Sequence, residues 1–326
     1  MLLTGLVTTA MLISADLTGW NAHEGGLLKY RVQIRFGQEP ETMPAGWTFG
    51  RVSAVATDSA GDVFVFHRAN KTTDPLVIFD AKGHYKRSWG KGVFANPHGI
   101  RIDKNNHVWL VDNGDHTVRK FTREGELLLL LGTPGKSGAT RNSFYRPTDI
   151  GFAADGSFYV SDGYGNSRVV KFSPKGEYLL EWGKKGTGPG EFNLPHVVQV
   201  DSKQRVWVSD RENNRIQCFD PSGKFIKQWN HLGATQGLHI MPDDTMWIIT
   251  HRSNIENLTY DTLSGRIMKL DMETGKILGS IESPGHWIHV TPKDEIFIGS
   301  LSGNVFRFYP GWLNQGLGVD EGIAKK

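Results

Sequence analysis

From residue 52 to residue 309, short apolar runs alternate with polar turns rich in Gly, Asp and Asn, a rhythm that predicts β-strands throughout. Residues 193–229 show the unit most plainly. Apolar runs at 197–200, 206–209, 215–219 and 224–229 are separated by a polar turn (201–205), an Arg-Glu-Asn-Asn turn and Pro-Ser-Gly. Four strands joined by turn chemistry in about 40 residues form an antiparallel four-stranded blade.

The same unit recurs. Aligning each copy on the aromatic of its second strand gives Phe64, Trp109, Tyr159, Trp207, Trp247 and Phe297, and nine residues upstream of each lies Val55, Ile100, Ile150, Val198, Leu238 or Ile288. A blade cannot bury its faces alone, so six of them imply an all-β, six-bladed β-propeller. The sixth copy, 286–309, lacks a fourth strand, and the alternating run 30–36 is expected to supply it, removing two exposed sheet edges. The expected organisation is a leader or extension at 1–27, a propeller at 28–310 and a tail at 311–326. An insertion at 252–264 in the fifth copy is expected to cover one face of the disc.

Composition narrows the partners. The chain has 326 residues and a net charge of +3, with no run of five or more Lys/Arg, so no nucleic acid is expected. A single cysteine, Cys218, rules out an intrachain disulfide. Residues 1–15 are apolar, but no Lys or Arg precedes Lys29, and the run is shorter than a membrane span. The reading is a monomer outside the membrane, with the cytoplasm favoured; secretion or the periplasm follows if 1–15 is a signal peptide.

Two residues before each aligned aliphatic lie Ser53, His98, Thr148, His196, Gln236 and His286, at the mouth of the central channel. Histidine thus occupies alternate blades, about 120° apart in a six-fold ring, the three-imidazole arrangement that holds a metal with an open position. A lone Pro-His at a strand start is more often a satisfied turn residue; three in register are read as a metal site. His239, His251 and His289 fall outside that register and are read as packing or surface residues. Four residues past the aligned aromatic stand Arg68 and Arg211, in blades one and four. They are read as a carboxylate clamp, against structural arginines bonded to strand-end carbonyls or Asp210. Tyr164 adds a phenol to the same rim.

These residues lie in motifs that resemble a known family. NPHGI (96–100), RPTDI (146–150), SDGYGNSR (161–168), LPHVV (194–198) and DRENNRIQCF (210–219), with FHR (66–68), resemble the NHL-repeat catalytic core of the peptidyl-α-hydroxyglycine α-amidating lyases. The resemblance spans roughly residues 50–309 and implies zinc on His98, His196 and His286, a catalytic Tyr164, and Arg68 and Arg211 at the substrate. It also implies cleavage of a peptidyl- or acyl-α-hydroxyglycine to an amide and glyoxylate. The chain departs from the family in two places. Trp287 stands where the family has an aspartate of a structural calcium site, which argues against calcium. The two disulfides that the resemblance implies are missing as well: Cys218 matches one half-cystine, but Trp207 stands at its partner's position, and Gly165 replaces another cysteine. Two other readings stay open, a non-catalytic NHL module binding protein or RNA, and a metal-dependent hydrolase or lactonase on the same site.

Overall fold

The computed structural model describes residues 26–38, 43–44, 47–69, 72–251 and 265–310. The run 1–15, the insertion 252–264 and the tail 311–326 lie outside the described residues. Six four-stranded antiparallel sheets make up the rest. Five span 51–89, 97–131, 149–182, 195–229 and 234–283; the sixth joins 287–310 to Tyr30–Gln33. The first strand of each blade packs against the first strand of the next, and blade six packs against blade one, so the ring is closed.

The repeat seen in the sequence is a repeat in register. Each aligned aliphatic pairs across the strand with the residue following the aligned aromatic: Val55 with Val65, Ile100 with Leu110, Ile150 with Val160, Val198 with Val208, Leu238 with Ile248, Ile288 with Ile298. All twelve are fully buried, and the core lies between blades as much as within them; one cluster joins Trp207 and Ile216 of blade four to Leu238 and Met246 of blade five. Burying each such side chain contributes roughly 1.5–3 kcal/mol before entropy is counted, which a single blade in water could not gain.

The closing strand is as expected in place and shorter in extent. Tyr30–Gln33 runs antiparallel to Asn304–Pro310, with Tyr30 opposite Pro310 and Gln33 opposite Arg307. The predicted run to residue 36 breaks because Arg35 takes a left-handed backbone (φ 66°) in a turn, which carries Phe36 inward to pack on Phe79 and Phe297. Just upstream, Leu28 N–H donates to the Ser280 carbonyl and Ser280 N–H to the Gly26 carbonyl, both at 3.0 Å, clipping the chain to the outer strand of blade five.

Blades two, three and four share a device that fixes the loops around the channel. Asp112, Asp162 and Asp210, at the ends of second strands, accept backbone N–H groups from the incoming loops, at Asn96, Tyr145 and Asn193 respectively. Each carboxylate also faces an arginine of the third strand, Arg119, Arg168 or Arg215. Buried carboxylates need such donors, and here the donors belong to the segments that lead into the channel residues.

Candidate metal centre and active site

Four of the six channel positions are aimed inward by one backbone feature. In blades one, two, four and five, Ser53, His98, His196 and Gln236 are the extra residue of a β-bulge. In blades three and six, Thr148 and His286 immediately precede the strand, and their N–H groups donate at 2.8 Å to the Ser161 and Gly299 carbonyls. A bulge re-aims a side chain out of the normal alternation, so successive residues need not point to opposite faces.

The three histidines converge. Their ring centroids lie 4.9–5.1 Å apart, and one nitrogen from each falls within 4.8 Å of the others. Each Nδ1 bonds to the backbone carbonyl of the next channel position around the ring: His98 to Thr148 at 2.8 Å, His196 to Gln236 at 2.6 Å, His286 to Ser53 at 2.8 Å. A carbonyl only accepts, so each Nδ1 carries the proton and each Nε2 presents a lone pair to the axis. Burial holds all three imidazoles neutral. It pushes His98 and His196 well below the ordinary range and His286 down to about 3, with the nearby arginine charges, Arg68 for His286 and Arg211 for His196, acting in the same direction.

These lone pairs are poorly answered within the protein. His286 Nε2 is buried without a hydrogen-bond partner. The Tyr164 hydroxyl lies 3.2 Å from both His98 Nε2 and His196 Nε2, but its single proton can serve only one of them. Two of three buried acceptors are therefore without a donor, an arrangement that is costly unless a cation satisfies all three. The donor set of neutral imidazoles fits a divalent transition metal, and the His98–His196–His286 cluster could bind one.

The arginines approach from opposite blades. Arg68 Nε donates to Ser53 Oγ (3.1 Å) and to the Pro97 carbonyl (3.3 Å), and its charge is felt at both His98 and His286. Arg211 sits in the one helical turn among the described residues, a 3-10 turn at Arg211–Asn213. Its Nη1 donates to Tyr164 Oη (3.3 Å) and Gln236 Oε1 (3.3 Å), while Nε bonds Glu212 at 2.8 Å. Asp210 is bonded to Arg215, and the carboxylate bonded to Arg211 is that of Glu212. For Arg68 the strand-end carbonyl contact is present alongside the approach to the histidines. The matching position in blade three is Gly163, where a Cβ would lie 2.1 Å from the Pro195 carbonyl oxygen; no side chain fits there.

Sequence reasoning did not reach the channel wall beneath the histidines. Arg101, three residues after His98, makes a bidentate pair with buried Asp149 (2.9 and 2.7 Å), reaches the Leu238 carbonyl (3.2 Å) and lies 4.5 Å from the Trp287 ring centroid. One guanidinium from blade two thus ties together blades three, five and six, and Trp287 packs on a cation already supplied by the chain. Further along, His239 and His289 meet edge to face at 4.8 Å between ring centroids, with His289 Nε2 accepting from Thr57 N–H, a packing role. A detectable signal existed: Arg101, His239 and His289 share one offset from the channel register.

Comparison with known proteins fits this geometry. The NHL repeat profile matches residues 94–121, 144–172 and 192–219, the inner three strands of blades two to four. Over 198 residues, half of this chain and 36% of the relative, the sequence is 34% identical to peptidyl-alpha-hydroxyglycine alpha-amidating lyase 1 of Drosophila melanogaster. The chain is an NHL-repeat propeller that resembles the amidating lyases. This NHL propeller is also 36% identical over 195 residues to the peptidyl-glycine alpha-amidating monooxygenase of Mus musculus, half of this chain and 20% of that one. It is 35% identical over 197 residues to human NHL repeat-containing protein 3, 56% of this chain and 54% of that one. The chain therefore spans about half or less of the length of these relatives. A solved streptogramin B lyase overlays with a TM-score of 0.58 over 87% of this chain and 98% of its own, at 13% identity, a likeness of fold.

Where the resemblance implied cysteines, the NHL propeller packs instead. Cys218 lies directly opposite Trp207 across the strand pair, both fully buried, and burial pushes its thiol up to about 12. At Gly165 a Cβ would meet the Tyr145 ring at 2.2 Å, so an aromatic face covers that backbone.

Proposed function

We propose that this NHL propeller is a zinc-dependent lyase that cleaves a peptidyl- or acyl-α-hydroxyglycine, or a similar α-hydroxy acid, into an amide and glyoxylate. The observation that carries the reading is the set of three buried Nε2 lone pairs, each oriented by a carbonyl-bound Nδ1, with a phenol and two guanidinium groups beside them. His98, His196 and His286 would hold the zinc, which when bound supplies Lewis acidity toward the substrate hydroxyl.

The remaining steps belong to the chain. Arg68 and Arg211, approaching from opposite blades, hold the substrate carboxylate and fix the α-carbon near the histidines. Tyr164 is assigned the proton of the substrate hydroxyl. As that O–H bond breaks, the carbon–oxygen bond becomes a carbonyl and the carbon–nitrogen bond breaks, its electron pair going to nitrogen. The nitrogen takes up a proton and leaves as the primary amide. All substrate atoms reappear in amide and glyoxylate, and nothing is oxidised or reduced.

The test is incubation of purified, zinc-loaded protein with an N-acyl-α-hydroxyglycine while glyoxylate is followed, with a chelator-treated control. Zinc-dependent glyoxylate release supports the reading; release no faster than the uncatalysed reaction refutes it. The likeness to human NHL repeat-containing protein 3, whose name carries no reaction, keeps a binding module as the second reading. In that case the histidines would be dispensable for partner binding.

A further inference from the structure

The rim of the channel carries a cation that the reading above does not use. Two residues before each channel position stand Arg51, Asn96, Arg146, Leu194, Ala234 and Pro284. Arg146 and its counterpart Leu194 share a left-handed backbone (φ 62° and 68°) ahead of a proline, so the pose belongs to the blade architecture and the choice of arginine does not. That pose sets Arg146 beside the catalytic candidate. Its carbonyl accepts the Tyr164 N–H at 3.2 Å, its own N–H donates to His116 Nδ1 at 3.2 Å, and its guanidinium carbon lies 5.2 Å from the Tyr164 ring centroid.

Arg146 is exposed, and among the described residues its guanidinium makes no hydrogen bond or ion pair. The neighbouring carboxylates are engaged elsewhere. Glu212 bonds Arg211; Asp112 and Asp115 face Arg119, and Asp162 is held by Arg168. Glu212 offsets the charge of Arg211, whereas Arg146 has no carboxylate partner among the described residues. Arg146 and Arg211 both lie against the Tyr164 ring (5.2 and 5.4 Å to its centroid), so in the lyase reading an acyl part that leaves the clamp beside Tyr164 runs out past Arg146.

We propose that Arg146 makes the site selective for substrates whose acyl part carries a second carboxylate. This rests on the lyase reading for the direction of the substrate, not for the binding itself. An exposed guanidinium–carboxylate pair is worth about a five-fold preference at low salt, and the preference fades as salt screens it.

The experiment uses two non-reactive ligands, N-succinylglycine and its terminal amide, which differ by a charge and hardly in shape. Calorimetric titration into the zinc-loaded full chain is expected to favour the acid about five-fold. Arg146→Gln should bring the ratio close to one, and Arg146→Lys should keep part of it. The corresponding α-hydroxy substrates should show the same ratio in kcat/KM. Equal binding of the two ligands by the unaltered protein overturns the proposal. So does an Arg146→Gln protein that weakens both ligands alike, which would make the residue a support for Tyr164 only. If the binding preference is present and no glyoxylate appears from either hydroxy substrate, the lyase reading fails while the acidic selectivity stands.

Discussion

The hydroxyl of Tyr164 lies 3.2 Å from His196 Nε2, on the lone-pair side of an imidazole whose other nitrogen is held by the Gln236 carbonyl. The group to which the proposed reaction assigns proton transfer thus stands against the atoms that would hold the metal. Tyr164→Phe keeps the ring between Arg146 and Arg211 and removes the oxygen. Turnover is expected to fall about 100-fold, with zinc content by elemental analysis unchanged. Turnover near that of the unaltered protein would leave Tyr164 as rim packing.

Removing one imidazole should empty the centre without unfolding the ring. His196 contributes one ring to a channel whose walls are closed by blade packing, so the unaltered protein is expected to purify with close to one divalent ion per chain and His196→Ala without it. Its circular dichroism spectrum should remain that of a β protein. Full metal retention in this variant rejects the three-histidine site.

The clamp is tested by geometry at constant charge. Arg68→Lys replaces a planar fork by a point charge, and binding of the substrate is expected to weaken on the order of ten-fold. Converting the substrate carboxylate to an amide should then cost the unaltered protein heavily and the variant little. Equal losses would assign Arg68 to its Ser53 and Pro97 contacts alone.

Arg101 gives a prediction about stability. Arg101→Met leaves Asp149 buried with only backbone donors, among them the N–H groups of Val198, at 3.2 Å, and Ile150. Breaking such a pair costs about 3–5 kcal/mol, seen as an earlier midpoint in urea. Because burial already pushes the Asp149 carboxyl up, the variant is expected to carry it protonated at neutral pH. The double variant Arg101→Met with Asp149→Leu should recover part of the loss, since an apolar pair needs no counterion. No recovery would mean that the guanidinium's ties to Leu238 and Trp287 matter more than the ion pair.

The propeller and the histidine triad were legible because both are consequences of one translation along the chain. A constant offset between Ile100 and Trp109, or Val198 and Trp207, survives insertions placed between units, and the channel register rides on it. Three things were not legible. The bulge that turns His98 and His196 inward has no residue signature, although it recurs in four of the six blades. Arg101 with Asp149 joins residues from different blades, a pairing that only ring closure decides. The length of the first strand depends on the backbone sign at Arg35, which alternation of apolar residues does not encode.

The clasp between blades one and six also has a temporal meaning. His286 takes its orienting bond from Ser53, 233 positions earlier in the chain, and Tyr30 finds its partner only when Pro310 has been made. During synthesis the early blades can form while the third imidazole does not yet exist, and the first strand waits unpaired, in the manner of slow, non-local β topologies. In the proposed metal site, capture would then follow closure of the ring, because its third imidazole belongs to the last blade.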